Sequence, residues 1–362
     1  MSLLKPNTLI LTRYLYIKDE VEAALLVSLL EKHREQSLFW AYELYYSGCC
    51  EELFEFLWSI YFDFFASLNP SFEAYFLKKE KEWKQESNAI FVAIIIENLL
   101  IRPFNSDVYI LRNSQYSKSD PVSDNLTKWI KNNDYSSLAN FILHINNSES
   151  LEQIYDKTIN EFESIYGDLQ KEKRIKQFKS IVKRKQTLSK HILLSRIMSL
   201  FINKTPKGRN LYMHVEPCEI VLYETCDDPE IKTYRLLNKV CLFGTNDHAQ
   251  LHLFPLARAL VKNLTELYHN DWLFYASFSP IWLSRIQQHG GSCEYETKKV
   301  IFQNEDQEET FYNKYNYETD EQSMELKQKT IPEIGLEQPT TDILCHFQNK
   351  YNKNGLTIIY KN

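Results

Sequence analysis

Thirteen of the 39 residues from 171 to 209 are basic, and Glu172 is the single acid among them. The basic residues are Lys171, Lys173, Arg174, Lys176, Lys179, Lys183, Arg184, Lys185, Lys190, Arg196, Lys204, Lys207 and Arg209. This segment carries +12 and the rest of the chain −18, so the formal −6 is the difference between two unlike parts. Lysine and arginine neutralise phosphates by displacing counterions, an interaction that is strong in low salt and blind to base sequence. Lys176, Lys183 and Lys190 recur every seven residues, a stripe with a spacing of about 10 Å if the segment is helical. Ile175, Phe178, Val182 and Leu193 fall largely on another face. The pattern predicts a helix docked by its apolar side with its lysines in water. The residues expected to meet RNA, DNA or an acidic protein are Lys173, Arg174, Lys176, Lys179, Lys183, Arg184, Lys185 and Lys190. Two other uses of the same charge stay open: a solvated face, or pairing with the acidic segment 293–342, whose net charge is −8.

Other residues suggest catalysis less strongly. His248 and His252 have the four-residue spacing of a zinc-metalloprotease helix, but Ala249 stands where that motif needs its glutamate base. His269 has no motif context, so no metal site is expected. Glu296-Thr297-Lys298 has the Glu-x-Lys form of a metal-dependent nuclease strand, with Asp227 and Asp228 as the further carboxylates such a site needs. Glu82/Lys84, Glu230/Lys232 and Glu325/Lys327 match that form equally well, which lowers its meaning here. The seven cysteines (Cys49, Cys50, Cys218, Cys226, Cys241, Cys293 and Cys345) contain no Cys-x-x-Cys pair, which argues for reduced, mostly buried thiols. Glu51 and Glu52 beside Cys49-Cys50 raise rather than lower a thiol pKa. There is no Walker loop, dinucleotide fingerprint or Gly-x-Ser-x-Gly elbow. No catalytic residue and no cofactor is expected.

The elements that must position these residues are mostly helices. Glycine and proline number only 8 and 11 in 362 residues, too few for the turns of an all-β chain. Asp19 with Glu22 suggests a capped helix to about Arg34, and Ser37 a cap for the next, which ends near Gly48. Leu53, Phe54, Leu57, Ile60, Tyr61, Phe64 and Phe65 continue at helical spacing until Asn69-Pro70. Ser71 and Ser87 open further helices, the second ending before Arg102-Pro103. Val108 to Leu111 reads as a short strand in a polar break over 104–122. Leu151 to Tyr166 is the clearest amphipathic helix, ended or kinked by Gly167. Beyond Thr205-Pro206, Met213 to Val215, Ile220 to Thr225 and Val240 to Phe243 read as strands, followed by a helix over Ala249 to Leu267. Ser279-Pro280 starts a helix that Gly290-Gly291 ends. Cys293 to Phe302 reads as a strand, 303–342 as a flexible acidic insert, and Leu356 to Tyr360 as a last strand.

The expected fold is therefore mainly α: an N-terminal multi-helix domain over 1–205, either a bundle or an irregular array of helical hairpins, with a smaller α+β domain over 206–362. The helical domain is expected to end in a basic amphipathic helix over 171–205. Twelve aromatic residues between Phe39 and Phe65 lack the interleaved lysine or arginine of a single-strand binding surface. They read as helix core, or as a groove for protein partners. The N-terminal residues do not form a signal peptide, and Ala89 to Ile96 is too short to span a bilayer.

The stretch Leu38-Phe39-Trp40-Ala41-Tyr42-Glu43-Leu44-Tyr45-Tyr46-Ser47-Gly48, continuing through Asn69-Pro70 to Lys79, resembles uncharacterised proteins of large nucleocytoplasmic DNA viruses. It covers about an eighth of the chain. The resemblance implies a cytoplasmic setting, a viral factory or a virion, and brings no catalytic motif. The functional expectation is a non-enzymatic adaptor, binding nucleic acid or an acidic partner through 171–209 and proteins through the aromatic half. The alternative is a metal-dependent enzyme acting on nucleic acid, with its site in the C-terminal domain.

Overall fold

The computed structural model describes residues 9–114, 125–144, 150–167, 189–202, 211–224, 270–315 and 351. Helix makes up 71% of them, and the sheet among them is one two-stranded hairpin, as a mainly α chain requires. No described helix is long and apolar enough to cross a membrane. Contacts group the chain into two compact units that each draw on separated segments. One comprises Met1–Phe56, Val92–Leu100 and His214–Ile343, the other Leu57–Phe91, Ile101–Met213 and Leu344–Asn362.

The first unit is built on α1 (Lys18–Glu31) and α2 (Arg34–Tyr46). From Val21 to Leu30 only Glu22 in α1 is not buried, so this helix has neighbours on all sides rather than one solvent face. It starts two residues earlier than Asp19 predicts: Ile17 is the N-cap, and Asp19 and Glu20 instead place negative charge in the first turn. Ser37 is not a cap but lies inside α2, where its hydroxyl donates to the His33 carbonyl. Gly48 ends α2 with φ +85°, and a Cβ there would stand 2.6 Å from Pro280 Cβ. No other residue fits both that backbone and that contact.

Two buried charges hold the residues preceding α1. Arg13 Nε lies 2.9 Å from Glu43 Oε2, and the other Glu43 oxygen accepts from the Tyr14 amide at 3.0 Å. Arg13 also donates to the Tyr223 carbonyl, and its amide to Ser47 Oγ. Trp282, which is fully buried, donates its indole N–H to the Thr12 carbonyl at 3.0 Å. Residues far apart in sequence are thus tied to one short segment by charged and polar bonds.

The C-terminal elements depart from expectation in several places, and Met213 to Val215, read as a strand, forms none. Ile220 to Thr225 is not a strand: residues Pro217–Glu219 and Val221–Tyr223 form two short 3₁₀ turns, with Pro217 in the first turn and reciprocal Glu216–Glu219 capping. Proline's fixed φ and missing N–H favour that start. Cys293 to Phe302 is a hairpin, with β1 (Ser292–Glu294) antiparallel to β2 (Lys299–Ile301) and Cys293 opposite Val300. Lys298 supplies the left-handed residue of its turn. The acidic insert begins as a helix, Glu305–Tyr315. Its first-turn acids suit a helix N-terminus, Asn304 accepts from the Gln307 amide, and Phe311 is fully buried among aromatic rings that include Trp282. As expected, Pro280 opens the helix Pro280–Gln288. These two helices, with Trp272–Ala276 before them, are α11 (Trp272–Ala276), α12 (Pro280–Gln288) and α13 (Glu305–Tyr315). The expected strands Val240 to Phe243 and Leu356 to Tyr360, and the helix Ala249 to Leu267, lie outside the described residues.

The second unit takes its residues from the end of α3 (Cys50–Ile60), α4 (Phe72–Glu86), the start of α5 (Ile90–Leu100), α6 (Asp107–Asn113), α7 (Leu126–Asn132), α8 (Tyr135–His144), α9 (Leu151–Tyr166) and α10 (Lys190–Phe201). Trp58 stacks on Phe76 with centroids 3.8 Å apart, and its indole N–H donates to Glu80. After α3 the helix widens into one π turn, Tyr61–Phe65, in which the Ala66 amide reaches the Tyr61 carbonyl. Val108 to Leu111 belongs to helix α6 and not to a strand. A short apolar run reads alike in either state, and here all four residues are buried, Val108 and Leu111 in one core with residues of α8 and α10, and Tyr109 against Phe64. Ser150 and Gln153 form a reciprocal capping box at the start of α9, and Gly167 ends it with φ +28°.

Glu43→Ala is expected to destabilise the protein by about 3–5 kcal/mol, because it strands Arg13 in a dry site. Urea unfolding checks this, and Arg13→Met combined with Glu43→Leu is expected to recover most of the loss. A single-variant cost below about 1 kcal/mol, the range of an exposed pair, would contradict the role given to this pair.

Candidate functional site

Of the eight residues expected to meet a polyanion, Lys173, Arg174, Lys176, Lys179, Lys183, Arg184 and Lys185 lie outside the described residues. Lys190 is described, and it opens α10. Ser189 caps that helix by accepting the Ile192 amide, and the first turn holds Lys190 and His191. Leu193, Leu194, Ile197, Met198 and Leu200 are buried against α6, α8 and α9. Burial of five such side chains, at about 1.5–3 kcal/mol each before entropy, makes α10 part of the core. The expected apolar face at Leu193 is therefore present.

The polar groups of α10 also face the fold. Lys190 is half-buried and donates to the Leu143 carbonyl at 3.1 Å. Leu143 lies in the last turn of α8, where carbonyls lack an intrahelical donor and a cation offsets the helix dipole. Lys190 thus fastens α10 to α8, which is not the solvent-facing stripe position its spacing predicts. Arg196 is 5% exposed and lies 2.7 Å from Glu73 Oε1 on α4. Two of the thirteen basic residues therefore act within the structure.

His191 approaches a third group. Its Nε2 lies 2.7 Å from Asp63 Oδ1 in the π turn, and Arg112 of α6 donates to both oxygens of the same carboxylate at 3.1 and 2.7 Å. Burial pushes the Asp63 carboxyl up, but the hydrogen bond and charge of His191 and those of Arg112 outweigh it. The carboxyl is held below its ordinary value. The π turn matters here because its extra residue per turn rotates Asp63 towards the cations while Phe62, Phe64 and Phe65 remain in the core. Sequence reading singled out neither Asp63 nor His191. No short motif carries such a pair, which is brought together from positions 128 residues apart.

The other chemical candidates fare as follows. Glu296 and Lys298 are exposed in the turn between β1 and β2 rather than on a strand, and Asp227, Asp228, His248, His252 and His269 lie outside the described residues. No group of three or more metal-ligating side chains occurs among the described residues. Burial raises the Cys49 thiol to about 12, and burial with Glu52 raises Cys50 to about 11, so neither is an activated nucleophile. A comparison with protein-family models, curated proteins and solved structures finds no match for this chain.

The depressed Asp63 pKa sets a pH dependence. A carboxyl whose folded pKa is lowered stabilises the fold in full above its unfolded value near 3.9, and the contribution fades as pH falls through the folded value. Asp63→Asn is therefore expected to be less stable than the parent at neutral pH, by a gap that narrows once pH falls below about 3.9. Denaturant titrations of both proteins over that range check the sign. A gap that stays constant or widens in acid would contradict it.

Proposed function

We propose that this chain is a non-enzymatic adaptor that holds RNA or DNA on its basic segment 171–209 and proteins on its aromatic helical half. The observation that supports this most directly is the way the basic segment is used. Lys190 and Arg196 are engaged by partners inside the helical body, and eleven basic residues against one acid remain in the segment. Such a density of like charge is self-repelling and is stabilised by phosphates, whose bound counterions it releases. α10 supplies the mechanical support, since a helix with its apolar face in the core gives the neighbouring cations a fixed point of attachment. The resemblance of residues 38–80 to proteins of large nucleocytoplasmic DNA viruses supports a setting in the infected cytoplasm, in viral gene expression or in the virion.

The test replaces seven of these eleven cations, Lys173, Arg174, Lys176, Lys179, Lys183, Arg184 and Lys185, each by Gln. Wild type is expected to retain labelled RNA or DNA in low salt and to lose affinity about a thousandfold or more between 50 and 200 mM salt if six or more of these side chains reach phosphates. The variant is expected to lose retention while melting at the same temperature. Absence of wild-type retention in low salt, or equal retention by the variant, would overturn the reading.

A further inference from the structure

We infer that the second unit carries a stacking platform for single-stranded nucleic acid, formed by Tyr212 and Tyr75 over Arg102. The inference rests on the polyanion reading above and adds to it the form of the polyanion. Phe72, Tyr75 and Lys79 follow one another at three- and four-residue spacing on α4, which places them along one face. Arg102, just past the end of α5, lays its guanidinium between two rings: its carbon is 3.9 Å from the Phe72 centroid and 5.0 Å from that of Tyr212. It also donates to the Leu211 carbonyl at 3.1 Å, which fixes the backbone that carries Tyr212. The Tyr212 ring meets Tyr75 with centroids 4.3 Å apart at 38°, and the Lys79 ammonium is 5.6 Å from the Tyr75 centroid. Glu82, an acid of the same helix, is paired with Lys79 at 2.7 Å.

Burial divides this cluster into support and surface. Arg102 is 1% exposed and Phe72 fully buried, whereas Tyr212 is 46% exposed and lies between Leu211 and Met213, which are exposed as well. A single exposed ring needs no explanation. Tyr212 differs from one in two respects. Its plane is held by a buried cation and a second tyrosine, so little side-chain entropy remains to be lost on stacking. It also follows Arg209, the last of the thirteen basic residues, by three positions.

This combination separates two forms of nucleic acid. Phosphates are common to both, so the basic segment attracts either. Base faces are accessible only where the bases are unpaired, and any of them can stack on a ring regardless of identity. A cationic tract leading into a held aromatic ring is therefore suited to an unpaired strand.

The test compares fluorescent oligo(dT) with a duplex of equal length by anisotropy at about 50 mM salt, using the full-length protein, Tyr212→Ala and Tyr212→Phe. Wild type is expected to bind the single strand more tightly. Tyr212→Ala should lose about 5- to 150-fold of that affinity, the span of one aromatic–base stack, and keep its duplex affinity, while Tyr212→Phe should bind like wild type. Photo-cross-linking with a bromouracil strand is expected to map to Tyr212 or Tyr75. Equal wild-type binding of strand and duplex, or an equal loss of both in Tyr212→Ala, would overturn the platform and leave the polyanion reading standing. Polyglutamate binding that depends on Tyr212 to the same extent would overturn it in favour of an acidic protein. No binding of either nucleic acid would overturn both readings together.

Discussion

The ion pair between Arg196 and Glu73 places a full positive charge inside a helical unit, and the use of the basic segment follows from it. Taking a guanidinium out of water costs several kcal/mol unless a carboxylate waits for it. Glu73, on α4, occupies that place. Around the pair, Leu193, Ile197 and Met198 provide the apolar contact, and Lys190 and His191 bind a carbonyl and a buried carboxylate at the start of the same helix. α10 is thereby fixed along its length by both kinds of interaction. The first unit solves the same problem with Arg13 and Glu43, where the charged bonds tie the residues before α1 to α2 and to Tyr223. In each case a buried cation selects one arrangement of neighbouring helices, because any other leaves a charge without a partner.

The aromatic residues supply most of the remaining cohesion. Trp58 on Phe76, Phe64 on Tyr109, and Trp282 beside Trp272 are ring contacts between elements, and the indole N–H groups of Trp58 and Trp282 are each hydrogen-bonded. The shortage of glycine fits this picture. Gly48 is placed where no side chain fits, against Pro280. Tyr212 stands half in solvent, while Arg102 and Phe72 beside it are buried.

Helices whose stripe and termini are both written in the chain were legible from sequence. Leu151 to Tyr166 has its period and a glycine at its end, and Pro280 and Gly290 bracket another. Val108 to Leu111 and Ile220 to Thr225 were not legible. Their apolar, β-branched residues suit a strand or a buried turn equally, and neighbours distant in sequence decide between them. The helix over Glu305–Tyr315 was concealed by its acidic composition, since Phe311 alone supplies its buried contact. The basic segment was plain as a charge run, but composition does not distinguish Arg196, which is paired indoors, from cations that are not. The Asp63–His191–Arg112 cluster and the Tyr212 platform were invisible for a simpler reason: each joins side chains from three or more elements.

The division of the basic segment into cations that hold the fold and cations that meet a partner is the central claim. The slope of log affinity against log salt tests it most directly, because it counts the phosphates neutralised. It should be measured for wild type, for the sevenfold Gln variant over 173–185, and for Glu73→Leu with Arg196→Met, in which the pair is replaced without stranding either charge. The account predicts that the third protein keeps the wild-type slope while the second loses most of it. A slope that flattens as much on replacing Glu73 and Arg196 as on replacing the seven cations would contradict it.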